Sequence, residues 1–199
     1  MSDNTSSAVA VIDRIFALYD QHGHHEYGES VTMMMHMMQA ALIAERSGFD
    51  DEMILAAFLH DIGHFFENEA QMGDFGALAH DKLGSAFLLE CGFPERMAHL
   101  VASHVATKRY LTWSDSAYYD TLSDASKETL VYQGGPMNDE EAEAFRKDPL
   151  FEKYIYLRVW DDMGKETGVP VDPADIARMK EKALSYLTAH GTMSDQQPA

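Results

Sequence analysis

The dipeptide His60-Asp61 closes the apolar run Met53–Leu59, and His64 follows within a turn. Two adjacent metal-capable side chains at the end of an apolar segment are costly unless something binds them. A buried charge or unpaired imidazole costs roughly several kcal/mol, so the usual tenant of such a place is a cation. His36 stands upstream inside a methionine-rich stretch, His80 and His104 stand downstream, and Asp161 follows an aromatic segment much later. Imidazole suits iron and zinc, carboxylates suit harder ions, and a carboxylate such as Asp61 can bridge two metals while His60 binds one. The pattern H…HD…H…H…D therefore reads as six ligands, enough for two first-row metals.

Cations stand close to these ligands in sequence. Lys108 lies four residues beyond His104, and Arg158 lies three before Asp161. On a helix each pair shares a face, which suits an anion such as phosphate or phosphonate held beside metals. Ser126 adds a hydroxyl or a helix N-terminal donor for the same anion. His64, one helical turn beyond His60, reads as a substrate contact, because six ligands are already present. His22, His24 and His25 sit in a glycine-containing stretch and read as surface residues, and His99 reads as structural.

The elements that must position these groups are helical. Apolar residues recur at helical spacing and nowhere alternate as in a strand. Helices are expected over Ser6–Asp20, over Glu29–Ser47 with Gly48 as its C-cap, and from an Asp50 or Asp51 cap to about His60. Further helices are expected over Ala79–Cys91, from Pro94 to about Lys108, over Ser123–Tyr132, Asp139–Lys147, Leu150–Asp162 and Asp172–Ala189. The two glycines between Glu67 and Ala77 mark a loop, and Glu69–Leu78, between two candidate ligands, is the candidate lid. The fold class is all-α, in one domain.

Composition limits the function. At 199 residues and 46% hydrophobic, the chain suits a single globular core. With 15 Lys and Arg against 33 Asp and Glu, a formal charge of −18 argues against nucleic acid and against an anionic membrane. Any anionic substrate then needs local positive charge inside its site. Cys91 is the single cysteine, which excludes an internal disulfide and reads as a small apolar filler near a helix end. The polar Met1–Ser7 segment has no signal-peptide character, and no run reaches the ~18 apolar residues of a membrane span. The expected location is cytoplasmic; the oligomeric state stays open.

The ligand pattern resembles that of the HD-domain superfamily, a helical scaffold of metal-dependent phosphohydrolases. Longer segments resemble one branch of it, the mixed-valent diiron oxygenases that cleave the carbon–phosphorus bond of 1-hydroxyphosphonates. The resemblance is carried by Glu45-Arg-Ser-Gly48, Leu59-His-Asp-Ile-Gly-His64, Ala79-His-Asp-Lys-Leu-Gly84 and His104-Val-Ala-Thr-Lys-Arg-Tyr-Leu111. It continues through Leu122-Ser-Asp-Ala-Ser126, Tyr132-Gln-Gly-Gly-Pro-Met137 and Arg158-Val-Trp-Asp161, the last two being the most specific. It implies an HD-domain helical bundle over residues 27–190, preceded by a helix and loop over 1–26 and followed by a flexible tail over 191–199.

The resemblance also implies the site. His36, His60 and Asp161 would hold one iron and His80 and His104 the other, with Asp61 bridging a mixed-valent Fe(II)/Fe(III) pair. His64, Lys108, Ser126 and Arg158 would grip the phosphonate, with His64 and Lys108 also catalytic. Glu29 would face the substrate's cationic nitrogen. In the aminoethylphosphonate-type enzymes a tyrosine precedes that glutamate by three residues; Glu26 holds the position here, with Tyr27 next to it. This points to the branch acting on (R)-1-hydroxy-2-(trimethylammonio)ethylphosphonate, giving glycine betaine and phosphate. Its quaternary ammonium has no N–H to donate and needs aromatic faces and carboxylate charge, which Tyr27, Glu29 and Glu26 supply. The partners implied are a small phosphonate and dioxygen. The alternatives are the 2-amino-1-hydroxyethylphosphonate oxygenase, yielding glycine and phosphate, and an HD-type phosphohydrolase, which would work without oxygen. A ligand-binding module without turnover is the non-enzymatic alternative.

Overall fold

The computed structural model describes residues 2–26, 28–66, 72 and 75–192. Among them are ten α-helices, a short 3-10 turn and no strand, and no helix is long and apolar enough to cross a membrane. The helices are α1 (Ser2–His22), α2 (Met33–Arg46), α3 (Asp51–Leu59), α4 (His80–Glu90) and α5 (Glu95–Ser114). There follow α6 (Ser116–Thr121), α7 (Asp124–Tyr132), α8 (Asp139–Phe145), α9 (Phe151–Met163) and α10 (Pro173–His190).

The centre of the bundle is α3. Every residue from Met53 to Leu59 is buried, as expected of a helix apolar on all sides. The Asp50 carboxylate accepts from the Met53 amide at 3.1 Å and starts it. Against α3 lie α2, α5, α9 and α10, and α4 packs on α5. The face of α2 toward this core carries Ala40, Ala41 and Ala44, small enough to bring helix axes close. Ile12, Ile15, Phe16 and Tyr19 of α1 belong to the same core as α3, with α10 packed on α1. The buried Tyr19 hydroxyl donates to the Phe58 carbonyl and so backs the end of α3 that carries His60.

Helix ends expected from capping residues fall where expected for α3, α4 and α7 to α10, within a residue or two. Two differ. The second helix begins at Met33, not Glu29: Thr32 caps it by accepting from the Met35 amide, and Gly28 turns the chain before it at φ +73°. Glu29 therefore stands on a loop. The fifth helix runs past Lys108 to Ser114, because Tyr110 packs against Trp113, Phe145 and Phe151 in a small second core. Tyr27, half of the candidate lid Glu69–Leu78 (69–71 and 73–74) and 193–199 of the expected tail lie outside the described residues. Cys91 is buried at the C-cap of α4, where burial pushes its thiol up to about 11.

Candidate metal centre and anion pocket

Two glycines allow the ligand-bearing segments to meet. After His60 ends α3, the chain tightens into the 3-10 turn Ile62–Phe65 and runs against the start of α4. A Cβ on Gly63 would lie 1.9 Å from the His80 carbonyl oxygen and 2.8 Å from the Gly84 nitrogen. Only hydrogen fits between these backbones, and Asp61 is thereby carried up to His80. The same turn corrects one expectation. His64 is not on a helical face with His60; it stacks on the His80 ring, centroids 3.9 Å apart.

His36, His60, Asp61, His80, His104 and Asp161 converge from α2, the end of α3, α4, α5 and α9. Each of the four histidines donates its Nδ1 proton to a backbone carbonyl. His36 donates to Gly164 (2.9 Å), His60 to Ala57 (2.8 Å), His80 to Ala77 (2.9 Å) and His104 to Val101 (2.9 Å). A carbonyl can only accept, so these bonds assign the tautomer and turn every Nε2 lone pair inward, the arrangement that carbonyl-oriented metal ligands adopt. The lone pairs meet in two couples, His36 with His60 at 3.1 Å and His80 with His104 at 2.8 Å. Two lone pairs come that close only with a cation or a proton between them. Asp61 spans the couples. One oxygen lies 3.3 and 3.5 Å from His60 and His36, the other 3.2 and 3.6 Å from His104 and His80. Asp161 adds an oxygen 3.5 Å from His36. The four imidazoles and two carboxylates form a donor set suited to metal.

His64 has the opposite polarity. Its Nδ1 accepts from the Ala77 amide at 3.2 Å, so the neutral ring carries its proton on Nε2 and presents a donor. Burial, reinforced by His80, holds it well below the usual imidazole range. Among the described residues Asp61, His64 and His80 also lie close enough to share an ion, as do His36, His60 and Asp161. The tautomer favours His64 as a donor to an anion over a metal ligand.

Charge in the centre follows the carboxylates. Burial opposes ionisation of Asp61, but His60, His104 and His36 outweigh it and hold the group well below the carboxylate range. Burial likewise opposes Asp161, which Arg158 and His36 hold down. Burial works against a charged His36, yet hydrogen bonds to Asp161 and Asp61 push it up to about 10. His80 goes the other way, to about 4, through burial and its neighbour His104, against the pull of Asp61.

Beside the centre is a cavity of about 80 Å³, room for a small molecule and not a polymer. Glu29, His64, Lys108, Ser126, Arg158 and Lys165 supply its polar lining. Lys108 is buried, bonded to the Ser126 carbonyl (3.2 Å) and the Thr129 hydroxyl (2.8 Å). Burial and the nearby Arg158 push its ammonium down to about 7. Arg158 donates to Asp161 at 2.8 Å, to both oxygens of Asp162 and to the Tyr118 hydroxyl. It thus fixes the orientation of Asp161 while facing the cavity. Ser126 lies in the first turn of α7, which Ser123 caps by accepting from the Ser126 amide at 3.1 Å.

Lys165 was missed by sequence reasoning. Its Nζ lies 2.6 Å from Glu29 Oε1 and 3.1 Å from Ser126 Oγ. A signal existed: it stands four residues beyond Asp161, as Lys108 stands four beyond His104. Because α9 ends at Met163, Lys165 reaches the cavity from a loop and helical spacing does not find it. Gln133 also lines the cavity, its Oε1 buried without a hydrogen-bond partner among the described residues. His22 is buried against Phe65 rather than exposed as expected, because α1 continues through it, whereas His24 is exposed as expected and His99, read as structural, is exposed too.

This site and bundle define the class. Residues 33–143 match the HD domain, and the chain belongs to that family. Asp161 falls beyond the matched segment and joins the site through α9. The chain is 42% identical over 158 residues to a 1-hydroxy-2-(trimethylamino)ethylphosphonate dioxygenase (glycine-betaine-forming) of Leisingera caerulea, covering 78% of this chain and 80% of that protein. It is 37% identical over 163 residues to a hydroxymethylphosphonate dioxygenase of Gimesia maris (80% and 81% covered). An uncharacterized protein of Acanthamoeba polyphaga mimivirus is 39% identical over 181 residues (89% and 83% covered). Within the HD-domain family the chain thus stands with the phosphonate dioxygenases, and it is an oxidoreductase.

Proposed function

We propose that the protein uses two irons and dioxygen to cleave the C–P bond of (R)-1-hydroxy-2-(trimethylammonio)ethylphosphonate, giving glycine betaine and phosphate. The observation that carries this reading is the adjacency of two inward-facing histidine couples, bridged by Asp61, to a wall of cations in one small cavity. His36, His60 and Asp161 would hold one iron and His80 and His104 the other, with Asp61 between them. In the mixed-valent Fe(II)/Fe(III) state the pair would supply dioxygen activation, with the four electrons that O₂ takes up coming from the C1–H and C1–P bonds of the substrate.

The chain's own residues do the rest. His64 donates from Nε2, and Ser126, Lys108 and Arg158 meet the phosphonate oxygens, so C1 is presented to the metals in one orientation. The reaction breaks the C1–H and C1–P bonds. One O₂ supplies the carboxylate's second oxygen and the fourth oxygen of phosphate, so no outside reductant is needed. Lys108 and Arg158 balance the charge of the departing phosphate. At the other end, Glu29 and the ring of Phe75 offer carboxylate charge and an aromatic face for a quaternary ammonium. Val31, Met33, Met72 and Val105 line the remainder and limit water. The 42% identity to the trimethylamino-type dioxygenase supports this substrate over the primary amine.

The test is phosphate and glycine betaine release by iron-loaded protein with and without dioxygen. Products appearing only with oxygen support the assignment. Phosphate released equally without oxygen, or from phosphoesters instead, refutes it in favour of a hydrolase.

A further inference from the structure

We propose that Lys165 is a third phosphonate-binding cation, held by Glu29 in the resting site, so that the pocket selects substrates carrying a cation of their own. This rests on the phosphonate reading of the cavity.

The carboxylate suited to a substrate's nitrogen already has an ammonium against it. Lys165 Nζ lies 2.6 Å from Glu29 Oε1, in the place a substrate cation would take. The same Nζ lies 3.1 Å from Ser126 Oγ, at the phosphonate end, so a phosphonate oxygen bonded to that hydroxyl comes within reach of it. Lys165 thus stands between the two ends of a zwitterion. Ser123 donates its hydroxyl to the same Glu29 oxygen at 2.6 Å, and this bond keeps the carboxylate in place when the lysine moves. Gly28 holds the loop from the other side: at φ +73° it passes the Phe75 ring so closely that a Cβ would lie 2.3 Å from it.

The phosphonate end has need of a further cation. Arg158 already commits donors to Asp161, Asp162 and Tyr118, and Lys108 is committed to Ser126 and Thr129. When a zwitterionic substrate enters, Lys165 turns from Glu29 to the phosphonate, and the substrate's nitrogen takes its place. Two ion pairs replace one internal pair and one free zwitterion, and no charge is stranded. A phosphonate without a cation has two poorer options. Either it draws Lys165 away and leaves Glu29, with side-chain exposure of 24%, unpaired, or it binds without the third cation. The pair therefore discriminates at the nitrogen end without a direct clash.

The experiment measures phosphate release by iron-loaded wild type, Glu29→Gln, Lys165→Met and the double variant. The two substrates are the trimethylammonio compound and hydroxymethylphosphonate, which lacks the nitrogen. KM is read, or KI where a compound inhibits without turnover. Glu29→Gln is expected to raise KM for the trimethylammonio compound about tenfold and to lower it for hydroxymethylphosphonate about three- to tenfold, since Lys165 is released. Lys165→Met is expected to raise KM for both, and in its background Glu29→Gln no longer improves hydroxymethylphosphonate. Lys165→Gln serves as the second variant if the methionine form does not fold. If Glu29→Gln weakens both compounds alike, or Lys165→Met changes neither, the pair is a structural salt bridge and the exchange is refuted, while turnover by wild type leaves the phosphonate reading standing. No binding or turnover of either compound by wild type overturns both.

Discussion

Replacing Gly63 by alanine should disarm the metal centre while leaving the bundle folded. Gly63 does not have a positive φ, so alanine meets no backbone penalty there and the effect is steric alone. Its Cβ would lie 1.9 Å from the His80 oxygen and 2.7 Å from the His80 carbonyl carbon, where ordinary contact begins at 3.4 Å. Both neighbours are backbone, and no side chain can rotate away. The 3-10 turn and α4 must separate by about 1.5 Å, since packed interiors do not compress. Metal–ligand distances tolerate about 0.2 Å, so His80 and Asp61 can no longer serve one ion. The expected stability loss is that of overpacking, about 1–3 kcal/mol, and a displacement near 1 Å at reacting groups can cost about 100-fold in rate. The assay combines far-UV circular dichroism, metal content per chain and oxygen-dependent phosphate release. Helicity should be retained, metal content should fall by about half and kcat by at least about 100-fold. Gly48→Ala is the control. It has φ +79° and nothing within 4 Å of its Cβ, so it should cost about 1 kcal/mol of stability and no activity. Full metal content and unchanged turnover in Gly63→Ala would falsify the reasoning.

Three further outcomes follow from the same geometry. Lys108 is pushed down to about 7 by burial and Arg158, so it is charged below that pH and neutral above it. In a pH profile kcat/KM for a phosphonate should therefore fall as pH rises through 7, and Lys108→Met should lower the acid-side rate and flatten that limb. Chelation should lower the melting temperature by roughly 5–10 °C, the effect of losing about 2.7 kcal/mol of linked binding at 100 Kd in a chain of this length. Restoring iron should reverse it, and a melting curve indifferent to chelator and iron would speak against a resident metal. Arg158→Lys keeps the charge but not the three-way fork to Asp161, Asp162 and Tyr118. Metal affinity or kcat should drop about 10- to 100-fold; wild-type values for both would show that Asp161 needs no such support.

Much of this was written in local signals. Ligand types are chemical identities, and Thr32, Asp50, Ser123, Asn138 and Asp172 are side chains that satisfy amides two or three residues on. Both kinds of signal act over a few residues, so the all-α class, most helix ends and the six side chains that converge were legible without coordinates. Where local signals conflicted, tertiary packing decided. The aromatic contacts of Tyr110 extended α5 beyond its expected end, and burial against Phe65 overrode the polar surroundings of His22.

The sequence alone determined which groups are available: four histidines and two aspartates of metal-capable type, a few cations near them in the chain, and helices able to carry them. Only the tertiary structure decided what those groups face. The Gly164 carbonyl that orients His36, the backbone contact at Gly63 and the Lys165–Glu29 pair join atoms far apart in the chain. A tautomer and an ion pair are properties of the partner as much as of the residue, and the partner is chosen when the helices pack. For that reason His64 and His60, alike in sequence, came out with opposite polarity.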